Sequence, residues 1–254
     1  MDRLTTGALR VPGVTVRVIG RCGSTNSILL AEPLARPTLL ATDLQTAGRG
    51  RRGRRWHSPR GHGALFSLGL PLSRPAHALG GLSIVAGMAV VRALRGLGAA
   101  EAALKWPNDV LVRGAKLGGI LVETRAQGKG SAAVIGVGLN HRKARGLAAR
   151  LRRGVAALED LLVPLPARTA VISAVARELM AAARAFDREG FAPFQRDWEA
   201  LHAHRGERLQ VRMPDGRRLA GVAAGLGEDG ALRLRTRRGL LSVRTGRIVL
   251  AKPA

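Results

Sequence analysis

Residues 14–19 (Val-Thr-Val-Arg-Val-Ile) alternate apolar and polar side chains, the period of a half-buried strand. The polar run Gly23-Ser24-Thr25-Asn26 then precedes an apolar stretch opening at Ser27, which predicts a helix and its cap. One capping side chain would suffice, so three in a row point to a further use. Residues 38–43 predict a second strand running into Gln45, and residues 64–70 a third. A long apolar helix is expected over 75–97, opened by Pro75 and ended near Gly96 and Gly98. Strands follow at 103–112, 116–124 and 132–139, joined by turns at Arg113-Gly114-Ala115 and Gly128-Lys129-Gly130. Short turns between consecutive strands imply an antiparallel meander. Residues 168–189 carry Val171, Val175, Leu179 and Ala182 near helical spacing, and a shorter helix at 193–202 holds Trp198. From Gly206 about five short strands crowd into fewer than fifty residues, the texture of a small β-barrel. The expected architecture is α+β. A mixed or antiparallel sheet with helices on one face fills residues 1–205, and a barrel fills residues 206–254.

The same alternation assigns faces. Counting by two puts Lys116 with Gly118, Ile120 and Val122. In the next strand Gly136, Gly138 and Asn140 share one face, while Ile135, Val137 and Leu139 fill the other. Glycines weaken a strand, so two neighbouring strands with bare faces favour a flat ligand floor over a simple bulge. Pro107, within Lys105-Trp106-Pro107-Asn108-Asp109, marks the mouth of its strand. Asn108 and Asp109 fit a turn there, and Asp109 is also the candidate carboxylate for a phosphate-bound divalent ion.

Composition narrows the classes. With 254 residues and 46% hydrophobic content, the chain can bury a real core. A single cysteine, Cys22, excludes an internal disulfide and an all-cysteine metal cage, and suits a reducing, cytoplasmic setting. No signal segment and no run of 18 apolar residues is visible, so no membrane association is expected. The net charge of +25 comes from 37 Arg and only 5 Lys, scattered through every segment and with few aromatics to stack bases. That reads as a general residue bias more than a nucleic-acid interface, although a basic nucleic-acid-binding protein stays as an alternative of another class. One stretch stands apart. Residues 48–55 hold five arginines and three glycines and lead into Trp56. Glycine opens backbone N–H groups to a ligand, and guanidinium forks suit carboxylate and phosphate oxygens. A mobile loop that orders over an anion is expected.

Taken in order, five motifs resemble those of the bacterial biotin protein ligases along nearly the whole chain. They are Ser24-Thr25-Asn26; Gln45-Thr46-Ala47 with the 48–56 loop; Lys105–Asp109; Lys116-Leu117-Gly118-Gly119-Ile120-Leu121-Val122-Glu123; and Gly136-Val137-Gly138-Leu139-Asn140. The resemblance implies a class II synthetase-like catalytic domain followed by a small SH3-like barrel. It implies ATP-dependent formation of biotinyl-5′-AMP and transfer of biotin to a lysine of a biotin carboxyl-carrier protein or domain. By resemblance Lys116, Arg51 and Arg49 are catalytic. Ser24, Thr25, Asn26, Gln45, Arg49, Gly50, Arg51, Lys116 and Gly119 surround biotin. Arg49, Arg51, Trp56, Asn108, Lys116 and Asn140 surround ATP, which enters with Mg2+; Asp109 stays a candidate for that ion beside its role in the turn. Ser24 lies about two dozen residues from Met1, so a form without the DNA-binding helix-turn-helix, and without specific DNA binding, is expected. A homodimer is left open. The nearest alternative is a lipoate or octanoate protein ligase, similar in fold and lysine. The Arg-Gly alternation before Trp56 and the Lys105–Asp109 segment favour biotin.

Overall fold

Two sheets organise the computed structural model, which describes residues 4–144, 146–151 and 154–250. The larger contains β1 (Thr15–Ile19), β2 (Thr38–Thr42), β3 (Gly63–Leu72), β4 (Ala103–Lys105), β5 (Asp109–Val112), β6 (Ala115–Gln127) and β7 (Gly130–Asn140). Their order is β1-β2-β3-β7-β6-β5-β4, with β1 and β2 parallel and every other pair antiparallel. The expected meander is the run from β4 to β7. The helices are α1 (Thr25–Ala31), α2 (Leu82–Gly96), α3 (Leu147–Leu151), α4 (Arg168–Glu189) and α5 (Gln195–Leu201).

Strand alternation sorts the side chains onto two unlike faces. Leu39, Ala41, Ala133, Ile135 and Val137 join the main core with the buried stripes of α2 and α4. Leu40, Ala132 and Val134 instead form a small separate cluster with Leu29 of α1. The two long helices thus cover one face. Among the described residues the other carries short α1, whose Asn26 covers Gly136 and which leaves Gly119 and Gly138 to Lys116 and the Trp56 ring.

The second sheet holds the five strands expected after Gly206: β8 (Arg208–Arg212), β9 (Arg218–Leu226), β10 (Leu232–Thr236), β11 (Gly239–Val243) and β12 (Arg247–Leu250). All are antiparallel, in the order β11-β10-β9-β8-β12. Its interior residues Leu209, Val211, Leu232, Leu234 and Ile248 are continuous with the main core. The indole of Trp106 donates to the Gly230 carbonyl at 3.3 Å, tying the two sheets together.

Three local expectations are corrected. Residues 103–112 form a hairpin, β4 and β5, because Trp106–Asn108 turn and send the Trp106 ring into the junction between sheets. The helix expected from Pro75 begins only at Leu82, after a 3-10 turn at Ala76–Ala78. Gly81, at φ 85°, breaks it there, where a Cβ would lie 2.4 Å from the Phe191 ring. The third correction, a bulge in β6, lies within the site.

Candidate active site

A cleft of about 240 Å³ opens on the α1 side of the large sheet, near the small end of small-molecule sites. Every residue nominated from the sequence lines it except Asn140. The Asn140 amide instead donates to the carbonyls of Lys116 (3.2 Å) and Ala156 (3.0 Å). Asn140 therefore holds the strand that carries Lys116, and it lies outside the cleft lining.

The floor is glycine. A Cβ on Gly136 would lie 2.1 Å from Asn26 Oδ1, and one on Gly138 would lie 2.6 Å from the Trp56 ring. The Trp56 ring lies flush on β7, with the Lys116 ammonium 5.8 Å from its centroid. Lys116 is not on the face that counting by two assigns. Val110 pairs with Gly118 while Leu111 pairs with Lys116, so Leu117 is an extra residue, a β-bulge. The bulge flips the parity of the strand. Lys116 joins Gly119, Leu121 and Glu123 on the α1 face, where Lys116, Gly119 and Leu121 line the cleft, and its Nζ lies 3.2 Å from where a Gly119 Cβ would be. Gly118 turns to the core, against Leu139.

One wall is a hydrogen-bonded chain rooted at the start of α1. The Thr25 N–H donates to Gln45 Oε1 at 2.9 Å. A backbone N–H can only donate, so this contact fixes the oxygen of the Gln45 amide and leaves its NH2 for the cleft. The hydroxyls of Thr25 and Ser67 are 2.6 Å apart, and Ser67 donates onward to Asn26 Oδ1 at 2.6 Å. Asn26 Nδ2 donates to Glu123 Oε2 (2.9 Å) and to the Leu121 carbonyl (3.2 Å). Ser24 accepts from the Ser27 N–H at 3.4 Å, an ordinary cap. Polar Ser67, wholly buried within an apolar strand, was the sequence signal that motif reading passed over.

The opposite wall is the arginine loop. The expected loop is folded as a small hairpin. Trp56 N–H donates to the Gly48 carbonyl (2.9 Å), Gly50 N–H to Arg54 (2.7 Å), and Arg49 bridges Arg55. Arg52, at φ 56°, turns the tip, and its guanidinium bonds the Thr245 hydroxyl. Gly246, Arg247 and Ile248 of the second sheet also line the cleft, a contribution no motif announced.

Positive charge dominates. Asp109 is the one carboxylate among the described lining residues, against a lining that includes Arg51, Arg54, Lys105, Lys116 and Arg247. Asp109 ion-pairs with Lys116 Nζ. Arg49 is paired with Glu123 and donates to Ser27 Oγ at 3.1 Å. Arg51 makes no side-chain hydrogen bond or ion pair with a described residue. Burial, then the like charge of Arg52, lower its pKa, and Asp109 partly opposes the fall. A partly desolvated, unpartnered guanidinium is suited to an arriving anion. Asn108 donates to the Ile120 carbonyl at 2.7 Å and receives the Ile120 N–H, so it braces β6.

The biotin/lipoate A/B protein ligase family model matches residues 20–140. Across 89% of its length the chain is 35% identical to the bifunctional ligase/repressor BirA of Escherichia coli, 70% of which it covers. It is 36% identical to the biotin–[acetyl-CoA-carboxylase] ligase of Mycobacterium tuberculosis over 85% of this chain and 81% of that one. The Paracoccus denitrificans enzyme of the same name is 37% identical over 86% and 93% of the two chains. The biotin protein ligase from Aquifex aeolicus, solved with biotin and ATP, shares the fold at TM-score 0.78 and 24% identity, covering 94% of this chain and 99% of that one. Fold and sequence together therefore define the class as the biotin/lipoate A/B protein ligases. Within that class, the chain belongs to the biotin protein ligase family.

Proposed function

We propose that the protein joins biotin to the carboxyl-carrier domain of a biotin-dependent carboxylase, in two ATP-dependent steps at the single cleft described above. The carrying observation is that Lys116 and Arg51 share one cavity with Thr25, Asn26, Gln45 and a glycine floor. In the first step the biotin carboxylate attacks the α-phosphorus of ATP, forming biotinyl-5′-AMP and expelling pyrophosphate. A carboxylate is already ionised, so no general base is needed. The barrier is anion against anion. Arg51 and Lys116, in a partly desolvated cleft, offset that repulsion where it arises. In the second step a carrier lysine amine attacks the mixed anhydride, forms the amide and releases AMP.

The fixed hydrogen-bonding groups of Thr25, Asn26 and Gln45 suit the neutral ureido ring of biotin. The glycine floor and the Trp56 ring suit its apolar body. Ser24 and Gly50 also line that cleft, and Gly119 continues its floor. The ATP side falls between Arg51, Arg54 and Lys116. Magnesium enters as part of the nucleotide substrate, and Asp109 is the carboxylate available to it once Lys116 turns to substrate. Among the described residues no cluster of three or more His, Cys, Asp or Glu forms a dedicated metal cage. The lone thiol and the ATP requirement fit the cytoplasm. No described helix is long and apolar enough to cross a membrane.

The test is incubation of the protein with labelled biotin, MgATP and an apo carrier domain. Labelled carrier is the expected product. Lipoyl or octanoyl transfer without biotinylation would establish the acyl-ligase alternative. Tight salt-dependent nucleic-acid binding with neither product would overturn both.

A further inference from the structure

We infer that Glu123 is a positioning residue that sets the biotin wall and the arginine loop in register through one carboxylate. The role rests on the biotin-ligase reading given above. Glu123 lies beyond the bulge on the cleft face of β6, several residues along from Lys116 and roughly 20 Å away by strand rise. It is therefore too far from Lys116 to act on the reacting carboxylate. Its two oxygens divide their work. Oε2 accepts from Asn26 Nδ2 at 2.9 Å, and Oε1 pairs with the Arg49 guanidinium. Arg49 in turn reaches Ser27, on the same helix as Asn26. A loop residue, a helix and a sheet strand are thus closed into one ring of charge-assisted bonds.

Burial says which partner leads. The Glu123 side chain is 21% exposed and that of Arg49 45%, so the carboxylate is the fixed post and the arginine docks on it. Half-exposed ion pairs contribute little to stability. The value of this one is geometric. Asn26 donates both amide hydrogens, one to Glu123 and one to Leu121, and accepts from Ser67. Its orientation is therefore held from both ends. Arg49 sits immediately after Gly48, where the loop hairpin leaves the sheet. Pinning Arg49 pins the base of the hairpin that carries Arg51 into the cleft. This also assigns Arg49 a clasp role instead of the phosphate-binding role the motif implies.

The experiment compares wild type with Glu123→Ala, Glu123→Gln, Arg49→Ala and the Glu123→Ala/Arg49→Ala pair. KM for biotin, kcat for adenylate formation and the rate at which biotinyl-AMP escapes are measured for each, with melting temperature as a fold control. Glu123→Gln keeps an oxygen for Asn26 but loses the ion pair. It should hold the biotin KM within about threefold while speeding escape of the intermediate. Glu123→Ala loses both arms and should also raise the biotin KM about 10- to 100-fold, the factor for a lost charge-assisted bond. The double variant should be no worse than Glu123→Ala alone in escape rate. Equal biotin KM in Ala and Gln variants, or additive escape rates, would overturn the role. If Glu123→Ala fails to fold, unchanged intermediate escape in Glu123→Gln overturns it by itself. Wild type that makes no adenylate defeats the ligase reading and this role with it, whereas normal wild type with indifferent variants defeats this role alone.

Discussion

Replacing Gly138 with alanine puts the geometry of the cleft floor to a direct test. A Cβ there would stand 2.6 Å from Trp56 Cε2 and 2.9 Å from both Cζ2 and Nε1. Ordinary contact needs about 3.6 Å, so something must retreat by roughly 1 Å. The strand is not free to do so. β7 is locked by continuous ladders to β3 on one side and β6 on the other. The Trp56 ring makes no hydrogen bond to a described residue through its buried Nε1, and it belongs to the loop hairpin. The ring therefore yields, and it drags the hairpin with it through the Trp56–Gly48 bond. Overpacking of this kind costs about 1–3 kcal/mol. Since the mobile partner is the active loop, the cost should fall on the reaction more than on the fold. A displacement of about 1 Å in a catalytic arrangement can lower rate by about 100-fold. The expected loss is 10- to 100-fold in kcat/KM for adenylate formation, read as pyrophosphate release, with a melting temperature lowered by no more than about 4 °C. Shrinking the ring in the same background, Gly138→Ala with Trp56→Phe, should recover part of the loss relative to Gly138→Ala. Gly119→Ala meets the flexible Lys116 terminus at 3.2 Å and the Trp56 ring only at an ordinary 3.5 Å, and should be milder. Activity of Gly138→Ala within twofold of wild type, with an unshifted melting temperature, would refute the placement of Trp56 on the floor.

Lys116→Ala should lower adenylate formation by about 100- to 1,000-fold, the scale of a lost electrostatic donor at a developing charge, while circular dichroism stays native. A near-normal rate removes Lys116 from the chemistry. Gly96→Ala, at an exposed helix end where a new Cβ meets nothing within 4 Å, should stabilise the protein by about 0.5–1 kcal/mol, and a lowered urea midpoint would contradict it. His202 packs against Trp198 at the junction of the sheets, with ring centroids 4.6 Å apart, and His204 lies 6.0 Å away. Burial, then His204, lowers the His202 pKa from 6.5 to about 4. A base depressed in the folded state binds fewer protons there than in the unfolded chain. Stability present at neutral pH should therefore fall as pH drops from 6.5 toward 4, by about 2–3 kcal/mol. Urea midpoints at pH 7.5 and 4.5 measure the loss, and His202→Phe should flatten it. An equally steep fall in that variant would assign the acid sensitivity elsewhere.

Much of the site was legible because its residues break the chain's own habits. Three successive polar residues open α1, paired glycines interrupt β6 and β7, and five arginines crowd one loop of an otherwise alanine- and leucine-rich protein. Each choice has a local cost that a plain structural element would not bear. The five strands after Gly206 were legible for the ordinary reason that turns and alternation are short-range. Glu123 was visible only as the end of a motif, since nothing in the sequence says that Arg49 and Asn26 meet on it. Asn140 shows the reverse case. Its rarity marked it as special, but what it does is hold the Lys116 and Ala156 carbonyls.

By itself the chain determined the order of strands and helices, the glycine floor of β7, and the identities of the groups that handle anions. These follow from periodicity and side-chain chemistry, which act over a few residues. The tertiary structure alone decided where those groups point. Whether Leu117 bulges depends on how β5 and β6 pair, and that one extra residue carries Lys116 from the expected face to the cleft. Whether Arg49 binds substrate or clasps Glu123, and whether residues 245–248 reach the arginine loop, depend on packing between segments far apart in sequence. Alternation counts residues along a strand, and it cannot register a shift imposed by the strand beside it.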